Sequence, residues 1–232
     1  MRNHPTSPKQ LARLTGLLYL IVIICAGFSQ GYVRGTIVVP NDAARTALNI
    51  LEQGGLFRLG LATDLIAFTT DAVIAVLFYQ LLKSVDQTLA MVAAALRLLA
   101  HPAIASLNLL NHYMAQRVLE SKDWALSHSP EQLYDWSMLL MDAHRAGYLI
   151  AGALFGLHCL LLGLLIYRSG LIPKAFGVLM SLAGMTYLME TFGVFLFPGN
   201  DAWLALLVGG AAALGEVSLT VYLLIKGVRS NN

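Results

Sequence analysis

Charge is scarce in this sequence. Only 12% of its 232 residues are Asp, Glu, Lys or Arg, while 57% are hydrophobic and the mean hydropathy is +0.68. Soluble domains carry about 25% charged residues. A soluble fold of this length could not cover so much apolar surface, so the bilayer is the expected surrounding. The net charge is only +2 and no basic stripe is present, which leaves no basis for a nucleic-acid partner. Cysteine is nearly absent: Cys25 and Cys159 fall within apolar runs. They read as buried thiols, with no CxxC or Cys/His metal spacing. The histidines form neither HxxxH nor HExxH, and no GxSxG elbow exists. These absences assign no catalytic residue, cofactor or metal.

Long apolar runs are what the chain does have. A helical span needs about 20 mainly apolar residues, and six stretches qualify: about 12–33, 56–82, 88–117, 133–167, 174–197 and 202–226. Hydrocarbon offers the backbone no partner, so each must be helical. The expected fold is therefore all-α, a polytopic bundle of six helices in a single integral membrane domain. Pro102 lies inside the third span and should kink it by freeing the carbonyl of Leu98. Arg2, Lys9 and Arg13 precede an apolar run from Leu14 to Phe28, as in a signal peptide. The five spans that follow favour a retained first helix.

Positive charge sets the expected direction. With the N-terminus inside, the inner segments carry Arg2, Lys9, Arg13, Lys83, Arg168, Lys174, Lys226 and Arg229. The outer segments carry Arg34, Arg45, Arg117 and Lys122. Both termini are expected in the cytoplasm. In the first outer loop, Asn41 or Asp42 can cap a helix running to about Gln53, where Gly54 and Gly55 stop it. Ala43, Ala47 and Ile50 fall on one face, with Arg45, Asn49 and Glu52 elsewhere. Such a helix can lie on the membrane surface or cover an outward pocket.

Against this background, the ionisable residues inside the spans stand out. A charge facing lipid is expensive, so such residues turn to a bundle interior or a watery cavity and often mark function. At about 1.5 Å rise per residue, Asp71, Arg97, Glu216 and His158 share a layer near the midplane. His101 and Glu190 come next, and Arg58, Asp64, Asn108, His112, Asp142, His144 and Arg145 lie nearer the outside. Arg97, His101, Asn108 and His112 fall on one stripe of the third span. Asp71 or Glu216 is positioned to neutralise Arg97, Asp64 to pair with Arg58, and Asp142 with Arg145. The remaining carboxylates would be neutral, hydrated or available to a ligand. The candidate ligand-binding set is therefore Asp71, Arg97 and Glu216 at the centre, His101 and Glu190 above them, and Arg58, Asp64, Asp142 and Arg145 at the mouth. A closed structural ion-pair network would satisfy the same groups. Gly152 with Gly156, and Gly177 with Ser181 and Gly184, form small-residue ridges for helix packing.

Several stretches resemble a bacterial family of multi-span integral membrane proteins described only as a domain of unknown function. They are Arg13–Leu20, Val39–Ile50, Leu56–Gly60 with Asp64 and Leu65, Tyr167–Lys174 and Gly184–Leu188. The Val39–Ile50 stretch is the most specific. The resemblance implies a bacterial inner-membrane, multi-pass protein and carries no site residues with it. The expected function is binding or movement of a small polar or amphiphilic ligand through an outward-facing intramembrane polar cavity. Two rivals are an intramembrane lipid-acting enzyme using a metal held by His101, His112 and Glu190, and a non-catalytic assembly or sensory protein. Six spans are few for a transporter acting alone, which makes a homodimer a reasonable expectation.

Overall fold

The computed structural model describes residues 7–229, and all regular structure among them is helical. Six helices are long and apolar enough to cross a membrane. We label them, with one short helix between the first two, in chain order: α1 Pro8–Ile37, α3 Gly54–Leu82, α4 Gln87–Glu120, α5 Pro130–Ser169, α6 Lys174–Leu196 and α7 Asp201–Ile225. The short helix, α2, is Ala43–Glu52. Each start has a local cause. Ser7 and Ser129 close capping boxes with Gln10 and Gln132, each followed by proline at the first helical position, so the free N–H groups of the first turn are satisfied. Asp86 caps α4 through the Leu89 N–H. Gly170 ends α5 in the left-handed region (φ 66°), which glycine enters without a Cβ penalty.

Three of the spans are not plain α-helices. Each contains a π-helical stretch: Gly27–Arg34 in α1, Leu99–Ala105 in α4 and Ala213–Val217 in α7. Pro102 lies inside the second of these, so the irregularity expected from its missing N–H takes the form of a wider turn.

The main core joins α1, α3, α4, α5 and α7 through Tyr19, Phe68, Ile74, Phe78, Ala100, Leu109, Phe155, Leu162, Leu219 and Leu223. The α5–α6 pair packs backbone against backbone. A Cβ on Gly177 would stand 2.6 Å from the Gly163 carbonyl oxygen, and one on Gly184 would stand 2.6 Å from that of Gly156. The small-residue ridges thus set backbone against backbone, with Gly163 joining the predicted positions.

Helix α2 is docked on the bundle. Asp42 caps it through the Arg45 N–H at 2.8 Å. Thr46, Ala47, Asn49 and Ile50 are buried, and Ile50 joins a second core with Val33, Ile37, Phe57, Ala115 and Met141. Asn49 was expected off the apolar face. It points inward because its amide donates to the Ile37 carbonyl at 3.0 Å, which replaces the water it would otherwise bind.

Candidate functional site

Two polar centres lie inside the bundle. The deeper one is built around Arg97, whose side chain is fully buried. Its Nε and Nη2 donate to Asp71 Oδ1 at 3.0 and 2.5 Å, and the ring Nδ1 of His101 lies 2.7 Å from Asp71 Oδ2. Arg97 Nη1 stands 3.0 Å from His158 Nε2, and His158 Nδ1 stands 2.8 Å from the Ala93 carbonyl oxygen. Arginine only donates and a carbonyl only accepts, so His158 carries its proton on Nδ1 and is neutral. Aromatic faces of Tyr19, Phe155 and Phe78 surround the guanidinium at 4.6, 5.1 and 5.9 Å, adding cation–π attraction where water is excluded.

Glu216 joins this centre indirectly. It takes hydrogen bonds from the hydroxyls of Tyr19 (2.6 Å) and Tyr187 (2.7 Å), and the Tyr19 ring covers Arg97. Glu216 was one of two candidates to neutralise Arg97, and Asp71 holds that place. The π-helical turn that contains Glu216 aims it at the tyrosines instead.

The second centre is nearer the end of the bundle that carries α2. Arg34 pairs with Asp64 through Nη2, and its Nη1 donates to Ser29 Oγ at 2.8 Å. Ser29 in turn donates to the Gly60 carbonyl at 2.9 Å. Arg34 Nη2 also meets His112 Nδ1 at 3.2 Å, while His112 Nε2 lies 2.9 Å from the Phe57 carbonyl oxygen. The same donor logic makes His112 neutral, with its proton on Nε2. Beside it, the Asn108 amide donates to the His144 carbonyl at 2.6 Å, and His144 Nδ1 lies 3.2 Å from the Asn108 carbonyl oxygen. Gly147 lacks the Cβ that would collide with Asn108 at this crossing. Three buried atoms of this centre have no hydrogen-bond partner among the described residues: Arg34 Nε, Asp64 Oδ1 and His144 Nε2.

His101 stands out from the other interior histidines. Its ring is stacked or tilted against Phe68, Tyr148 and Phe155. Its side chain is 14% exposed, and only its Nδ1 is engaged, by Asp71.

The sequence-derived set therefore separates. Asp71, Arg97 and His101 come into direct contact, Glu216 connects through Tyr19, and Asp64 belongs to the second centre. Arg58, Asp142 and Arg145 are exposed, and the expected pairs among them do not form. Asp64 pairs with Arg34, Arg58 lies 3.7 Å from Glu120, and Arg145 lies 2.6 Å from Asp201. Helix length is the reason. Arg58 is 24 residues before Leu82 and Asp142 is 27 before Ser169, or about 36 and 40 Å along a helix. The hydrocarbon is about 30 Å thick, so a crossing that begins at Leu82 or Ser169 would be complete before it reaches these side chains. Glu190 is half-buried on α6, with Arg145 and Asp201 as its charged neighbours.

Arg34, His158, Tyr19 and Tyr187 are members that the candidate set lacks. Arg34 was counted as a loop charge. The apolar residues Ile37, Val38 and Val39 beyond it were the available sign that the helix continues. No group of three or more His, Cys, Asp or Glu among the described residues could hold a metal ion, so His101, His112 and Glu190 do not come together as a metal triad.

Comparison with known proteins bears on the whole chain. Residues 14–227 match the family described as Domain of unknown function (DUF4386). The chain belongs to that family. Over 73 residues it is 37% identical to an uncharacterized protein of Archaeoglobus fulgidus, a match covering 32% of this chain and 41% of that protein. The matched stretch thus spans less than half of that relative. No solved structure matches the chain. The family assignment agrees with a multi-span membrane bundle, and the two polar centres described here are features of this DUF4386 member's own side chains.

Proposed function

We propose that this protein binds, and in doing so can move, a small polar or amphiphilic ligand at an intramembrane polar site near the α2 end of the bundle. The observation that carries the reading is the set of unpartnered buried atoms on Arg34, Asp64 and His144. Buried polar groups are almost always hydrogen-bonded, and exceptions call for a water, ion or ligand. Together these atoms offer one donor on Arg34 and an acceptor on Asp64. His144 Nε2 adds an acceptor if Nδ1 donates to the Asn108 carbonyl (3.2 Å), or a donor if Nδ1 accepts from the Asn108 side-chain amide (3.3 Å). A hydroxyl, amine or amide complements such a set.

The His101–Asp71 pair supports a proton-exchanging role below that site. Nδ1 of His101 is held by Asp71 at 2.7 Å, and its Nε2 has no hydrogen-bond partner among the described residues. Helix α2, docked over this end, is suited to cover the site. The lysine and arginine bias supports cytoplasmic termini in a bacterial plasma membrane. It sharpens once Arg34 is removed from the loop tally. Arg2 of that tally lies outside the described residues.

The test is a thermal-shift screen of the protein in neutral detergent against small alcohols, amines, amides and fatty amphiphiles. A hit should stabilise the wild type and lose its effect in Asp64→Asn and His144→Gln. Arg145→Gln, at an exposed pair, should retain it. A hit that stabilises all three variants equally would overturn the site, and so would a screen in which no compound class shifts the wild type.

A further inference from the structure

A cleft of about 320 Å³ opens between α3 and α4 at the α2 end, lined by Arg58, Leu61, Tyr113, Gln116, Arg117 and Glu120, with His112 of the interior centre at its inner wall. It shares none of the unpartnered atoms of the interior centre. Its cations are underused. Arg58 has a 68% exposed side chain and spends Nε on the Gly54 carbonyl at 3.1 Å. Its contact with Glu120 is 3.7 Å, too long for a hydrogen bond. Glu120 instead accepts from the Gln116 amide at 2.7 Å. Arg117 is exposed and has no acidic partner among the described residues. Two guanidiniums thus face the cleft with most of their donors free.

Depth identifies what those donors would meet. Arg58 lies 24 residues before Leu82, about 36 Å along α3, which is the level of lipid phosphates at the edge of an about 30 Å hydrocarbon layer. Deeper along the same faces the residues turn apolar. Leu61 and Leu65 follow Arg58 on α3, and Tyr113 and Leu110 precede Arg117 on α4. Leu65, Leu110 and Tyr113 are exposed to the surroundings at 45, 57 and 51%. This is the order of an acidic lipid, with the oxyanion at the rim and the chain below. Guanidinium is matched to phosphate oxygens by its planar, multi-donor geometry.

We propose that the α3–α4 cleft is a binding site for an acidic phospholipid, with Arg58 and Arg117 holding the phosphate and Leu61 and Tyr113 receiving the top of an acyl chain. Glu120 opposes the anion and tunes the affinity downward. The site does not depend on the ligand reading of the interior centre.

Native mass spectrometry from neutral detergent tests it, with phosphatidylglycerol, phosphatidylcholine of the same chains, and inorganic phosphate as separate titrants. Phosphatidylglycerol should be retained in preference to phosphatidylcholine, with inorganic phosphate not retained. Arg58→Gln and Arg117→Gln should each weaken phosphatidylglycerol retention about fivefold, and Glu120→Gln should strengthen it. These side chains are exposed, so an unchanged melting temperature in each variant checks the fold. Equal retention of the two lipids would overturn the proposal, as would undiminished retention in the arginine double variant. Retention of inorganic phosphate as strong as that of the lipid would replace the lipid with a free anion.

Discussion

Asp71 divides its oxygens between two partners, Oδ1 for Arg97 and Oδ2 for His101, and both members of the Asp71–Arg97 ion pair are fully buried. Removing one partner of a buried pair leaves the other charge uncompensated, at a cost of about 3–5 kcal/mol. Asp71→Asn should therefore lower the melting temperature in detergent severely. Asp71→Asn combined with Arg97→Met should recover part of the loss, since the orphaned cation is gone. A single variant that melts like the wild type would show that the pair contributes little to folding. The Asp71–Arg97 contact was legible from the sequence because both residues lie near mid-span on adjacent helices, and a lone guanidinium at that depth needs a carboxylate. Glu216 has the same depth, so counting residues could not rank the two. The ranking comes from side-chain direction, which sends Glu216 to two tyrosine hydroxyls.

At the scale of the element, π-helical turns and glycines do the positioning. Arg34 and Glu216 lie within π-helical stretches, and so does His101. Such turns recur at functional sites because they change the phase of the side chains that follow. A strict 3.6-residue period read along α1 or α7 accumulates an error at that point. The π-helical stretch of α4 falls between Arg97 and Asn108, which a strict period sets on one stripe and which the fold assigns to different centres. The α5–α6 contact makes the opposite case. Gly184→Leu would drive a side chain into the Gly156 backbone, 2.6 Å away, whereas a Cβ at Gly209 meets nothing within 4 Å. Expression followed by size-exclusion chromatography should show Gly184→Leu largely aggregated and Gly209→Ala monodisperse. Similar behaviour in the two variants would contradict the close packing of these helices.

For the whole molecule, the decisive quantity is the position of the hydrocarbon slab along helices of unequal length. Helix α5 has 40 residues and α6 has 23, so at the end away from their short connection α5 extends beyond α6. The excess of α5 carries the exposed Asp142 and Arg145. The orientation proposed from the charge bias has a direct check. A cysteine at Ser127, in the exposed turn before α5, should react in intact cells with a membrane-impermeant maleimide, and one at Ser84, between α3 and α4, should not. Cys25 and Cys159 lie within α1 and α5, and their replacement by alanine removes background. Labelling at Ser84→Cys alone would reverse the orientation.

Hydropathy and length by themselves determined the six spans and the layer that Asp71, Arg97 and His158 share, because the bilayer imposes one rule on every residue of a span. Which buried groups touch was decided only by the tertiary structure. Facing depends on π-turns, tilt and the close approach of glycines, each of which rotates or shifts a side chain by more than the reach of a hydrogen bond. That is why Arg34 moved from loop to interior, Glu216 from cation to tyrosines, and Arg58, Asp142 and Arg145 from interior to rim.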